Sequence, residues 1–139
     1  MLDMAAPLTV TGEDGSADEA AAPVADETVT VADYTIAIPD GFRGDGTIEL
    51  RNEGTEAHEL GLMRIEDGKE LADVFTWFST PTGPPPFVEA GGVGVVAPGT
   101  SAWSTMHLGP GHYLAVCFVP DAEGTPHALL GMVTPFEIS

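Results

Sequence analysis

Cys117–Met132, CFVPDAEGTPHALLGM, ends a run of apolar residues and then gathers a thiol, an imidazole and a thioether on one loop. Cys117 is the only cysteine of the chain, so an intrachain disulfide is excluded and the thiol is open to another use. A lone cysteine is more often a small buried hydrophobe than a ligand. Its company changes that reading, because nine residues separate it from His127 and four more separate His127 from Met132. Soft sulfur donors combined with imidazole select copper among the common metals. Two histidines, one cysteine and a long axial methionine form the blue-copper electron-transfer set.

That set needs a second histidine. Working outward, Asn52–Leu60, NEGTEAHEL, reads as a strand end and a turn that delivers His58 to the start of another apolar run. On a strand His58 shares a face with Leu60 and Leu62, so it points toward the core. One ligand on an early strand and three on a loop just before the last strand resemble the site of the cupredoxins, in particular the plastocyanin and pseudoazurin type. The pieces that carry the resemblance are Asn52 and His58, Gly111-His112-Tyr113 leading through Leu114-Ala115-Val116 to Cys117, the pair His127 and Met132, and the terminal stretch GMVTPFEIS. They span roughly the last hundred residues. Two positions depart from the pattern. The Cys117-to-His127 spacing exceeds the two to four residues usual in plastocyanins and azurins, and Glu59 stands after the first ligand where the plastocyanin branch commonly has Asn.

The resemblance implies a mononuclear copper site with His58, Cys117 and His127 as tight ligands and Met132 as the weak axial one. It also implies a single-electron carrier that cycles between Cu(II) and Cu(I), a redox protein as partner, a monomer, and export to the outer face of a membrane. Phe118, Ala128 and Leu129 are expected as apolar cover over the metal. An enzyme is the lesser expectation: oxidase and nitrite reductase sites of this kind need a histidine beside the cysteine, where Val116 and Phe118 stand, and a binuclear centre needs two cysteines. Two other readings stay open, a copper carrier and a copper-free binding or assembly module. The acidic insertion Asp121–Gly124 favours them if it keeps His127 from reaching Cys117. His107 and His112 are expected in solvent, and Met63 and Met106 as core filler.

Between these landmarks the chain reads as short strands punctuated by turns, the pattern of an all-β Greek-key sandwich. Thr28–Ile38, TVTVADYTIAI, changes parity near Ala32-Asp33, which predicts two half-buried strand pieces joined by a bulge. In Tyr113–Phe118 both alternating rows are apolar, which predicts a strand buried on both sides. Lys69–Phe78 is the one helical pattern, with Leu71, Val74, Phe75 and Phe78 on one stripe. The run Pro84-Pro85-Pro86 reads as a connector, with Phe87 near the mouth of the site.

Four Lys plus Arg stand against 22 Asp plus Glu, a formal charge of -18. That excess argues against nucleic acid and anionic membrane as partners. It suits a high-salt habitat, where screening removes self-repulsion, or a docking face for a basic redox partner. No apolar run of about 18 residues is present. Residues 1–27 carry seven acids, no Lys or Arg and no apolar segment behind a basic start, so they read as a disordered acidic tail or linker before a domain at 28–139.

Overall fold

The computed structural model describes residues 21–139. Its elements in order are β1 (Glu27–Ala32), β2 (Thr35–Ala37), β3 (Asp45–Asn52), β4 (His58–Ile65), α1 (Leu71–Ser79), β5 (Phe87–Val96), β6 (Ser101–His107), β7 (Gly111–Val116), a 3₁₀ turn (His127–Leu130) and β8 (Val133–Ile138). Two four-stranded sheets, ordered β2-β1-β3-β6 and β5-β4-β7-β8, face one another. All pairings are antiparallel except β1 with β3, which run parallel with Val29 opposite Leu50.

Alternation builds the interior. Val29 and Val31 of β1 and Ile48 and Leu50 of β3 point inward from one sheet, and Leu60, Leu62 and Ala115 meet them from the other. The opposite rows of β4 and β7 are buried as well: Met63, Ile65, Leu114 and Val116 pack beneath Val74 of α1. The two central strands of the second sheet are therefore covered on both faces, as the doubly apolar pattern of Tyr113–Phe118 predicts. Successive residues of β4 serve opposite layers by simple alternation, and the pairing of β4 with β5 shifts register between Leu62 and Met63. Gly92 allows the close approach on the partner strand, since a Cβ there would run into the Leu60 carbonyl.

Three expectations are corrected. Ala32–Thr35 is a tight hairpin turn rather than a bulge, because β1 and β2 pair antiparallel and Tyr34 takes a positive φ of 64°. The helical stripe is only partly covered: Val74 is buried, whereas Phe75 and Phe78 stay exposed. Phe87 opens β5 and packs under α1 beside Trp77 and Phe78, not at the mouth of the site. At the N-terminus, residues 1–20 of the expected acidic tail lie outside the described residues. The sheet already begins at Glu27, and Asp26 exchanges two hydrogen bonds with Thr47, through its backbone N–H and its carboxylate.

Candidate metal centre

His58 is the first residue of β4, Cys117 follows the last residue of β7, and His127 opens the 3₁₀ turn before β8. All three are fully buried at one end of the sandwich. His58 Nδ1 lies 3.1 Å from His127 Nδ1, and Cys117 Sγ lies 4.0 Å from the first and 3.6 Å from the second. Among the described residues this is the one group of three or more such donors close enough to share an ion. A point equidistant from the three atoms is about 2.1 Å from each, within the reach of roughly 2.0–2.3 Å that nitrogen and thiolate donors take on zinc, copper's neighbour.

The long spacing after Cys117 is absorbed locally. Pro120 and Pro126 form an antiparallel bridge, the His127 N–H donates to the Val119 carbonyl, and the Ala128 N–H donates to the Cys117 carbonyl. The residues between fold into a turn of their own, where the Asp121 carboxylate accepts from the N–H groups of Glu123 and Thr125. The insertion therefore projects as a closed bump, and Val119 stands beside His127 as if the intervening residues were absent. Met132 is fully buried in the same core cluster as Cys117. Its carbonyl accepts from the Cys117 N–H and its N–H donates to the His127 carbonyl.

The Glu59 N–H donates to Cys117 Sγ at 3.5 Å, and the Glu59 carboxylate accepts from the Phe118 N–H at 3.0 Å. The residue that departs from the plastocyanin pattern thus ties β4 to the cysteine segment. Burial pushes the Cys117 thiol above its ordinary pKa, an effect the Glu59 N–H offsets in part.

Three residues that sequence reasoning missed complete the site. His58 Nε2 meets Asp33 Oδ1 at 3.1 Å, and His127 Nε2 meets Glu56 Oε2 at 3.0 Å. The Tyr34 hydroxyl donates to Glu56 Oε1, and its ring stands edge-on to His127 with centroids 5.2 Å apart. The Thr55 hydroxyl, and after it His58, hold the Asp33 carboxyl well below the usual carboxylate range. No spacing rule announces these contacts. The nearest signal is the parity change at Asp33, which marks a special backbone position without saying what it serves.

Phe118 and Leu129, expected as cover, are 40 % and 76 % exposed. They line an outer apolar groove with Phe75, Phe78 and Ala128 instead. The imidazoles are covered by Asp33, Tyr34 and Glu56. His107 and His112 lie away from the centre with side chains 74 % and 70 % exposed, paired with Asp45 and Glu137. Met63 and Met106 are core residues.

Dithionite-reduced auracyanin from the photosynthetic bacterium Roseiflexus castenholzii superposes on 81 % of this chain and 95 % of its own, with a TM-score of 0.53 and 17 % identity. The chain has the cupredoxin fold. No family model matches the sequence, and no curated protein is similar enough in sequence to match. Within the cupredoxin fold observed here, the buried His58, Cys117 and His127 sit where an early strand end and the last loop converge.

Proposed function

We propose that this chain is a mononuclear type 1 copper protein that carries single electrons between redox partners. His58 Nδ1, His127 Nδ1 and Cys117 Sγ are the close ligands, with Met132 as the weak axial one. The observation that carries the proposal is the triangle of two imidazole nitrogens and one thiol sulfur, whose size suits one ion. Its donor chemistry is the one that selects copper. Bound copper would supply a one-electron couple between Cu(II) and Cu(I).

The chain's own part is to keep the donors still. His58 is fixed by β4, Cys117 by its backbone bond to Met132, and His127 by its bond to Val119. Donors held in one arrangement for both oxidation states leave little to reorganise, which favours fast transfer. Cys117 must release its proton to bind, so uptake of copper weakens in acid. Full burial of all three donors favours electron exchange over metal delivery, because no ligand is offered to an acceptor at the surface. The closed turn at 120–126 likewise removes the feature that favoured the carrier and the copper-free module, since the insertion does not hold His127 away from Cys117. Non-enzymatic action, a basic redox partner, a monomeric state and export belong to the same proposal. They rest on the family resemblance and on the charge of -18.

Titration of the reduced apoprotein with Cu(II), followed by visible absorption and electron paramagnetic resonance, tests the proposal. An intense thiolate-to-copper band with narrow copper hyperfine splitting at one equivalent is expected, lost in Cys117→Ser and retained in His107→Ala and His112→Ala. Met132→Leu should keep the band and raise the potential. Tight binding of Cu(I) without the band would point to a carrier, and binding of neither oxidation state would end the copper reading.

A further inference from the structure

Both inward-facing imidazoles rest their outer nitrogen on a carboxylate, Asp33 for His58 and Glu56 for His127. A carboxylate oxygen accepts hydrogen bonds, so each contact calls for the proton on Nε2. Each Nδ1 then presents a lone pair inward, and the two stand 3.1 Å apart beside Cys117 Sγ. Two acceptors that close are favourable only around a positive charge, either a metal ion or a proton shared between the two rings.

We propose that Asp33 and Glu56 are positioning residues that lock His58 and His127 in the Nε2–H tautomer, aim both Nδ1 atoms at the metal position, and favour the oxidised state of the bound metal. The last clause rests on the copper reading above; the tautomer lock stands without it.

The two carboxylates are built into the fold rather than met by chance. Asp33 and Tyr34 form the β1–β2 turn, where Tyr34 holds a positive φ that non-glycine residues rarely adopt. Asp33 accepts from the Thr55 N–H and hydroxyl and from the Glu56 N–H. Tyr34 in turn donates to Glu56. The turn before β2 and the loop before β4 thus interlock over both rings. Gly54 permits the fit, since a Cβ there would collide with the Asp33 carboxylate and stand 3.0 Å from His58 Nε2. The surface pairs His107 with Asp45 and His112 with Glu137 have no such support and lie mostly in solvent. A carboxylate behind an imidazole raises its basicity as a ligand, and a more basic ligand favours the higher metal charge.

The test has two arms. In the copper-free protein, imidazole nitrogen shifts read by NMR should show Nε2–H on both rings. Glu56→Ala should release His127 and leave His58 held, whereas Asp33→Ala should release His58 first, since it also frees the Thr55 and Glu56 N–H groups. In the second arm Glu56→Gln keeps an acceptor oxygen and removes the charge. With copper as the probe, its affinity for Cu(II) should fall about tenfold relative to Cu(I), a rise of about 59 mV in potential for this one-electron couple. A neutral Nδ1–H tautomer with an unprotonated Nε2 in the wild-type protein, or an unchanged His127 in Glu56→Ala, overturns the tautomer lock. An unmoved potential in copper-loaded Glu56→Gln overturns the effect on oxidation state. Failure of the wild-type protein to bind copper would remove the copper reading, and the nitrogen shifts would still decide the lock.

Discussion

Asn52 shows how one buried amide organises the approach to the centre. It is 1 % exposed, its Nδ2 donates to the carbonyls of Glu56 and Val96 at 2.8 and 2.9 Å, and its Oδ1 accepts from the Gly54 N–H at 2.8 Å. Two of those bonds fasten the loop that carries Glu56 and Gly54, and the third ties it to β5. Asn52→Ala leaves buried backbone groups unpaired, so unfolding in urea should show a loss of about 2–3 kcal/mol. Asn52→Asp should do no better, because a carboxylate has no proton to offer the two carbonyls. At this scale the sequence was legible where chemistry is rare and illegible where it is common. A single cysteine, followed by His127 and Met132, singles itself out. Asp33, Tyr34 and Glu56 are three ordinary residues in an acid-rich chain, and their importance arises only when one turn folds over another.

The elements explain how a long ligand loop still closes. The 3₁₀ turn and β8 keep His127 and Met132 in register with Cys117, and the insertion is confined between the bridged prolines. Its internal bonds run from Asp121 to residues 123–125, so it contributes little to the ligand positions. Replacing residues 121–125 by Asn-Gly, a pair suited to a two-residue hairpin turn, should leave the copper-loaded visible spectrum unchanged. A shifted or missing band would show that the insertion itself shapes the site. Strand positions were legible because β3, β4 and β7 carry clear rows of apolar residues. The β1–β2 hairpin was not, since Ala32-Asp33-Tyr34-Thr35 lacks the glycine or asparagine that usually marks such a turn. The helical stripe misled for a different reason. Short α1 rests on one spot of the sheet, so Val74 fills it while Phe75 and Phe78 extend past the covered area.

Across the whole molecule, charge opposes folding and salt should relieve it. Twenty-two acidic side chains against four basic ones leave few opportunities for pairing. Raising sodium chloride from about 0.01 M to about 1 M shortens the screening length from about 30 Å to about 3 Å, so the melting temperature should climb over that range. The acid excess was legible in composition, yet composition does not reveal which acids tie the strands of a sheet together. Glu49 is one of them: on β3 it accepts from Ser101 on β6 at 2.7 Å, from Thr28 on β1 at 3.3 Å and from Arg51 at 3.1 and 3.2 Å. The Ser101 hydroxyl first, then Arg51 and Thr28, lower its pKa from the ordinary 4.5 against the opposing effect of burial. A lowered folded value means that the unfolded chain takes up the proton first as pH falls. The stabilisation is therefore fully present above 4.5 and lost as pH falls through the folded value. Protonation also relaxes the overall repulsion in the same interval, so the two effects run in opposite directions. High salt separates them by suppressing the repulsion. In about 1 M sodium chloride, urea unfolding across the acid range should show wild-type protein more stable than Glu49→Gln at neutral pH, with the gap closing as Glu49 protonates. Parallel curves would mean that the bonds from Ser101, Thr28 and Arg51 are no stronger to the ionised carboxylate than to a neutral amide.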